Sequence, residues 1–137
     1  MAYRLLLIGL LLAISSPASL ARADDCVNTQ DQATMNECAD QSLRESDAEL
    51  NSVYKQVEQR LKDNPDTIKL LVSAQRSWVA FRDAECTFSS SRVAGGSVYP
   101  MVYSTCLDRL TQSRTKELKA YLKCEEGDMS CPVPAAD

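Results

Sequence analysis

The sequence predicts an all-α protein, an antiparallel bundle of about three long helices stapled by disulfides. Three observations predict it. Apolar residues recur at steps of three and four through three long segments. Alternating strand patterns are nearly absent. The six cysteines, an even number, all lie at or after position 26 of a 137-residue chain, which reads as a disulfide framework.

The first 23 residues read as a secretory leader. Arg4 supplies the positive start, residues 5–14 are an apolar run, and Ala21-Arg22-Ala23 is a small-x-small cleavage site. The run is too short to span a bilayer. Asp24-Asp25 precedes Cys26 where a lipid-attachment site needs small residues, so no lipid anchor is expected. Removing the first 23 of 137 residues leaves 114 from Asp24, enough for one domain, and the expected location is periplasmic or secreted. That product carries 13 basic and 19 acidic residues once Arg4 and Arg22 are gone, a net charge of −6. Such a balance disfavours nucleic acid and suits a basic protein partner.

Residues 26–30 are a short entry segment. Asp31 is a plausible N-cap for a helix over residues 32–62. Its stripe is Leu43, Asp47, Leu50, Tyr54, Val57 and Leu61, preceded by Met35, Cys38 and Ala39. Ser46 or Asp47 can also cap a new helix, so one long helix and two shorter ones both fit. Asp63-Asn64-Pro65 ends the segment, with Asn64 as cap and Pro65 in the first turn of the next helix. This second helix covers residues 65–88, and its stripe is Ile68, Leu71, Gln75, Trp78, Arg82 and Cys86. A loop follows at residues 87–97, rich in Ser89, Ser90, Ser91, Gly95 and Gly96. Ser97 is the expected cap of a third helix that reaches residue 122, with Pro100 in its first turn. That helix carries Tyr103, Leu107, Leu110, Arg114, Leu118 and Tyr121 on one face. Residues 124–137 form an acidic, irregular tail. The domain organisation is therefore a leader at 1–23, a helical domain at 24–123 and this tail.

Fifteen disulfide connectivities are open to six cysteines. The expected one pairs nearest neighbours: Cys26 with Cys38, Cys86 with Cys106, and Cys124 with Cys131. The middle bond closes a loop of about 20 residues, worth about 3 kcal/mol in the loop-entropy treatment. The chain has no His and no CxxC, so neither a metal nor any other cofactor is expected. The missing His also removes the commonest general base.

The helical stripes contain charges, and buried charges need partners. A turn at residues 63–64 brings Asp47 beside Arg82 and Asn51 beside Gln75. A Cys86–Cys106 bond brings Arg114 level with Trp78, over or beside its ring. These six residues make a polar layer between the helices, read as a register-setting device, since no nucleophile or base accompanies them. Asp83 with Glu85, and Glu125 with Glu126, are adjacent carboxylates, but they point to different helix faces or lie in the tail. Catalysis is not expected.

The residues Asp47-Ala-Glu-Leu-Asn51-Ser-Val-Tyr54, then Ala74-Gln-Arg-Ser-Trp78-Val-Ala-Phe-Arg82-Asp83-Ala-Glu-Cys86, then Gly95-Gly96-Ser97, Cys106-Leu107 and Thr111-Gln-Ser-Arg114-Thr-Lys-Glu117-Leu118 resemble the LprI N-terminal-domain family. The resemblance covers residues 26–122. It implies an exported bacterial protein, and its name implies a lysozyme inhibitor. Lysozymes of the animal type are basic and work with two cleft carboxylates. An acidic protein would be steered toward such an enzyme. The best contact is then the loop, where Ser89, Ser90, Ser91 and Arg92 offer donors beside Gly95 and Gly96. The alternative is an envelope interaction protein with another partner, using Glu125, Glu126 and Asp128 or the outer Glu45, Glu49 and Glu58.

Overall fold

The computed structural model describes residues 23–136, and the rest of the leader lies outside them. The described chain is all helical: α1 (Ala23–Asn28), α2 (Gln32–Arg60), α3 (Pro65–Ser89), a single 3-10 turn (Ser91–Val93) and α4 (Tyr99–Tyr121). The short entry segment at residues 26–30 overlaps the short helix α1, which contains Cys26. A Cys26–Cys38 disulfide holds that turn against α2.

Asp31 caps α2, its carboxylate accepting the Thr34 amide and hydroxyl at 2.9 and 2.8 Å. Those bonds hold the Asp31 carboxyl below the usual carboxylate range. Helix α2 then runs unbroken through Ser46. The Ser46 hydroxyl does not cap a new helix. It donates back to the carbonyls of Ser42 and Leu43 at 3.1 and 3.2 Å, a bond that a serine inside a helix can make without ending it. Asn64 caps α3 by accepting the Thr67 amide at 3.2 Å, and Pro65 sits where no donor is needed.

The expected Ser97 cap is absent. Helix α4 begins after Val98 without a side-chain cap, and Pro100 in its first turn spares one amide that would need an acceptor. The Ser97 carbonyl instead accepts the Asn36 side-chain amide of α2 at 3.0 Å.

Helices α2 and α4 are the closest pair, and α3 leans on them. The buried face of α4 explains the closeness. It is Ser104, Cys106, Leu107, Thr111, Thr115 and Leu118, rotated from the larger stripe expected of it. Small hydroxyl residues let two backbones approach, and their hydroxyls can bond within their own helix. Thr115 donates to the Thr111 carbonyl at 2.9 Å.

Two apolar clusters result. The larger contains Leu50, Val53 and Val57 of α2, Leu61 at its C-cap, Leu118 of α4, and Cys124 and Val133 of the tail. Ile68, Leu71 and Trp78 of α3 pack against it. The smaller contains Cys86, Cys106 and Leu107, flanked by Leu43, Tyr103 and Leu110. The tail is irregular but tied down: Cys124 bonds Cys131, Val133 is buried, and Arg60 donates to the Pro134 carbonyl at 2.7 Å. No helix of the described residues is long and apolar enough to cross a membrane.

Candidate functional site

Two places carry the polar residues singled out above. One is the seam between the apolar clusters and the other is the turn joining α3 to α4.

In the seam, Arg82 is the hub. Its side chain is only 15% exposed. It donates to Asp47 Oδ1 at 3.0 Å, to Thr111 Oγ1 at 3.1 Å and to Asp83 Oδ1 at 3.0 Å. Its guanidinium carbon also lies 5.2 Å from the centre of the Trp78 ring, in cation–π range. The expectation for Trp78 therefore needs correction: its cation is Arg82, four residues along the same helix, and not Arg114. Arg114 instead donates to Gln75 Oε1 at 3.1 Å and to Glu117 Oε2 at 2.7 Å. This in turn displaces Asn51, which is exposed and not in the layer. Gln75 has one carbonyl oxygen, and a guanidinium is a stronger donor for it than a second amide.

Thr111 was not anticipated. It accepts from Arg82 and donates to Asp47 Oδ1 at 3.4 Å. Asp108 was missed as well, although it joins α4 to α2 by accepting Ser42 Oγ at 2.9 Å and the Ser46 hydroxyl. The available signal was the spacing of Ser104, Thr111 and Thr115 at three- and four-residue steps with Leu107 and Leu118. Both arginines are paired, although Arg114 also lines a largely apolar cavity with Val57, Leu61, Leu71, Tyr121 and Val133. Among the described residues no group of three His, Cys, Asp or Glu side chains is placed to hold a metal. The paired groups of the seam can hold the helices in register.

Removing Asp47 should test that account. Asp47→Ala leaves Arg82 with Asp83, Thr111 and the ring, so it is expected to cost about 2 kcal/mol in urea unfolding. The same substitution made together with Arg82→Met is expected to cost clearly less than the two single effects added. Additivity would mean that the pair contributes nothing.

The turn is closed at its base by the Cys86–Cys106 disulfide, with Cα atoms 5.6 Å apart. One of its three serines, Ser90, faces inward, which corrects its reading as a contact donor, while Ser89 and Ser91 stay exposed. Ser90 is fully buried and its hydroxyl donates to the Cys86 carbonyl at 2.6 Å. Ser89 donates to the same carbonyl at 3.3 Å. The Ser90 amide donates to the same carbonyl at 3.1 Å, so the hydroxyls add to a backbone bond that already closes the last turn of α3. Gly95 and Gly96 shape the backbone: Gly95 has φ +79°, and a Cβ on Gly96 would meet the Val93 carbonyl at 3.2 Å. What remains outside is Phe88, Ser89, Ser91 and Arg92, with Phe88 75% exposed. Among the described residues no carboxylate pairs with Arg92. The turn can thus offer one free guanidinium beside one exposed ring, on a backbone held by a disulfide and by Asn36.

Comparison with known proteins gives three findings. A family model described as "Lysozyme inhibitor LprI" matches residues 23–118. An uncharacterised protein of Rhizobium meliloti (strain 1021), R02472, is 36% identical over 131 residues, spanning 87% of this chain and 94% of its own. The crystal structure of a DUF1311 family protein from Pseudomonas putida KT2440 superposes with a TM-score of 0.61 at 22% identity, covering 69% of this chain and 94% of that one. At that identity the likeness speaks for the fold.

Proposed function

The chain belongs to the lysozyme inhibitor LprI family, and from that premise we propose that it is an exported, non-catalytic protein-binding module that inhibits a lysozyme-type hydrolase through the α3–α4 turn. One observation carries the choice of surface: Arg92 is exposed, without a carboxylate partner among the described residues, on a turn whose shape the Cys86–Cys106 bond and the buried Ser90 hold. A rigid donor loses little entropy on docking, which favours tight contact. A guanidinium is the group that bridges two carboxylates, the equipment of a lysozyme cleft. Phe88 beside it supplies apolar area of the kind that anchors interfaces.

Two further features support the reading. The net charge of −6 after residue 23 would steer the protein toward a basic enzyme and make association salt-sensitive. Three disulfides need an oxidising compartment, in keeping with residues 1–23 as an export leader.

The test is inhibition of a basic lysozyme by the purified chain from Asp24. Arg92→Ala is expected to weaken inhibition by about tenfold or more, the cost of losing a buried interfacial Arg. Equal inhibition by both proteins would remove the turn as the contact, and no inhibition by the unaltered chain would remove lysozyme as the target.

A further inference from the structure

Helix α3 carries a second stripe that its own chain does not cover. Leu70, Ala74, Ser77, Phe81, Ala84 and Phe88 follow one another at steps of four, three, four, three and four. All six are exposed, Leu70 by 70%, Phe81 by 56% and Phe88 by 75%. This is the spacing of a coiled-coil seam, where each apolar side chain enters a gap on a facing helix. It runs for about 27 Å, five helical turns. Ser73, Ala80 and Thr87 flank it on one side without a charge, and on the other Glu85 is the one charged neighbour. The outer face of a solvated helix is ordinarily its charged face. A face so free of charge in a protein with 25% charged residues fits a helix pressed against it.

We propose that the occupant is α3 of a second copy of this chain, packed antiparallel about a two-fold axis at Val79. The stripe is complementary to itself in that register. Leu70 then faces the second copy's Phe88, Ala74 its Ala84, and Ser77 its Phe81. The large Phe81 ring meets a small serine, and two alanines let the backbones approach. Parallel packing lacks this match, because it sets Phe81 against Phe81 and Phe88 against Phe88.

The charges at the ends agree independently. The same axis brings Asp66, at the start of α3, level with the second copy's Arg92, just past its end. Among the described residues Arg92 has no carboxylate of its own, and the present partner of Asp66 is the largely exposed Lys69 at 2.9 Å, which costs little to release. Two-fold symmetry makes the ion pair twice. One helix per copy buries less than about 1,200 Å² in total, the range of weak and reversible association. Phe88 and Arg92 also belong to the proposed lysozyme contact, so dimer and inhibitor complex would exclude each other.

The experiment needs no lysozyme, so its failure is separate from failure of the inhibitory reading. Sedimentation of the chain from Asp24 is expected to show a monomer–dimer equilibrium at tens to hundreds of micromolar, roughly the affinity of small interfaces. Phe81→Asp should remain monomeric across that range with an unchanged helical circular dichroism spectrum, since Phe81 is half exposed. Arg92→Asp should weaken the dimer and Asp66→Arg added to it should restore it. Ala74→Cys mixed with Ala84→Cys should cross-link through a short thiol reagent, while neither should link to itself. A chain monomeric at every concentration overturns the proposal and leaves the stripe to a helix of another protein. Linking within Ala74→Cys alone overturns the antiparallel register.

Discussion

Leu118→Ala is expected to destabilise the protein by about 3–4 kcal/mol, measured by urea unfolding. Leu118 is fully buried and is the one α4 member of the larger apolar cluster. The cluster it joins is built from Leu50, Val53 and Val57 on α2, Leu61 just past the end of α2, and Cys124 and Val133 on the tail, so several elements lose packing at once. Alanine favours helix at least as well as leucine, so the cost is packing and not propensity. Cores of small domains collapse only partly around a lost side chain, and the cavity adds to the transfer term. In a domain near 100 residues each kcal/mol moves the melting temperature by about 4–8 °C, so a drop above about 10 °C is expected. Leu70→Ala is the internal control. Its side chain is exposed, and it should change stability by less than about 0.5 kcal/mol at concentrations where the chain is monomeric. A loss below 1 kcal/mol at Leu118 would mean that the tail and α3 fall in to fill the space.

Removing the middle disulfide by Cys86→Ala with Cys106→Ala should cost about 3 kcal/mol. The two cysteines are 20 residues apart in sequence, against 12 and 7 for the other bonds, so it restrains the unfolded chain most. It also forms the smaller core, with Cys86 fully buried and Leu107 beside it. Two effects should therefore appear together. The melting temperature falls, and amide exchange rises in residues 88–98, because Ser90 and Asn36 then hold the turn alone. Removing Cys26 and Cys38 should cost less and leave that turn unaffected, since the bond ties down the six-residue helix α1. Equal effects from the two pairs would show that the turn is held by its hydrogen bonds and not by its covalent base.

The helices were legible because their signals are local. Asp31, Asn64 and Pro65 are caps whose effect extends three or four residues, and the apolar stripes on α2 and on the core side of α3 persist over many turns. The pairing of Asp47 with Arg82 was legible too, because a single tight turn between α2 and α3 leaves little freedom in register. Where a residue had two partners within reach, sequence spacing did not decide between them. Gln75 took Arg114 and not Asn51, and the ring of Trp78 took Arg82 from its own helix. Ser90 looked free in sequence, but its hydroxyl is buried against the Cys86 carbonyl one turn back.

By itself, then, the sequence determined an all-helical chain with three long segments, an even set of cysteines and charges within its seams, since periodicity, capping and composition act over one or two turns. Only the tertiary structure decided which face of each helix meets its own chain. Helix α4 turned its small hydroxyl residues inward because α2 and α4 pack closest. Helix α3 has apolar residues on two sides, and the bundle has room for one. The other side stays outside, where a physical partner must be sought.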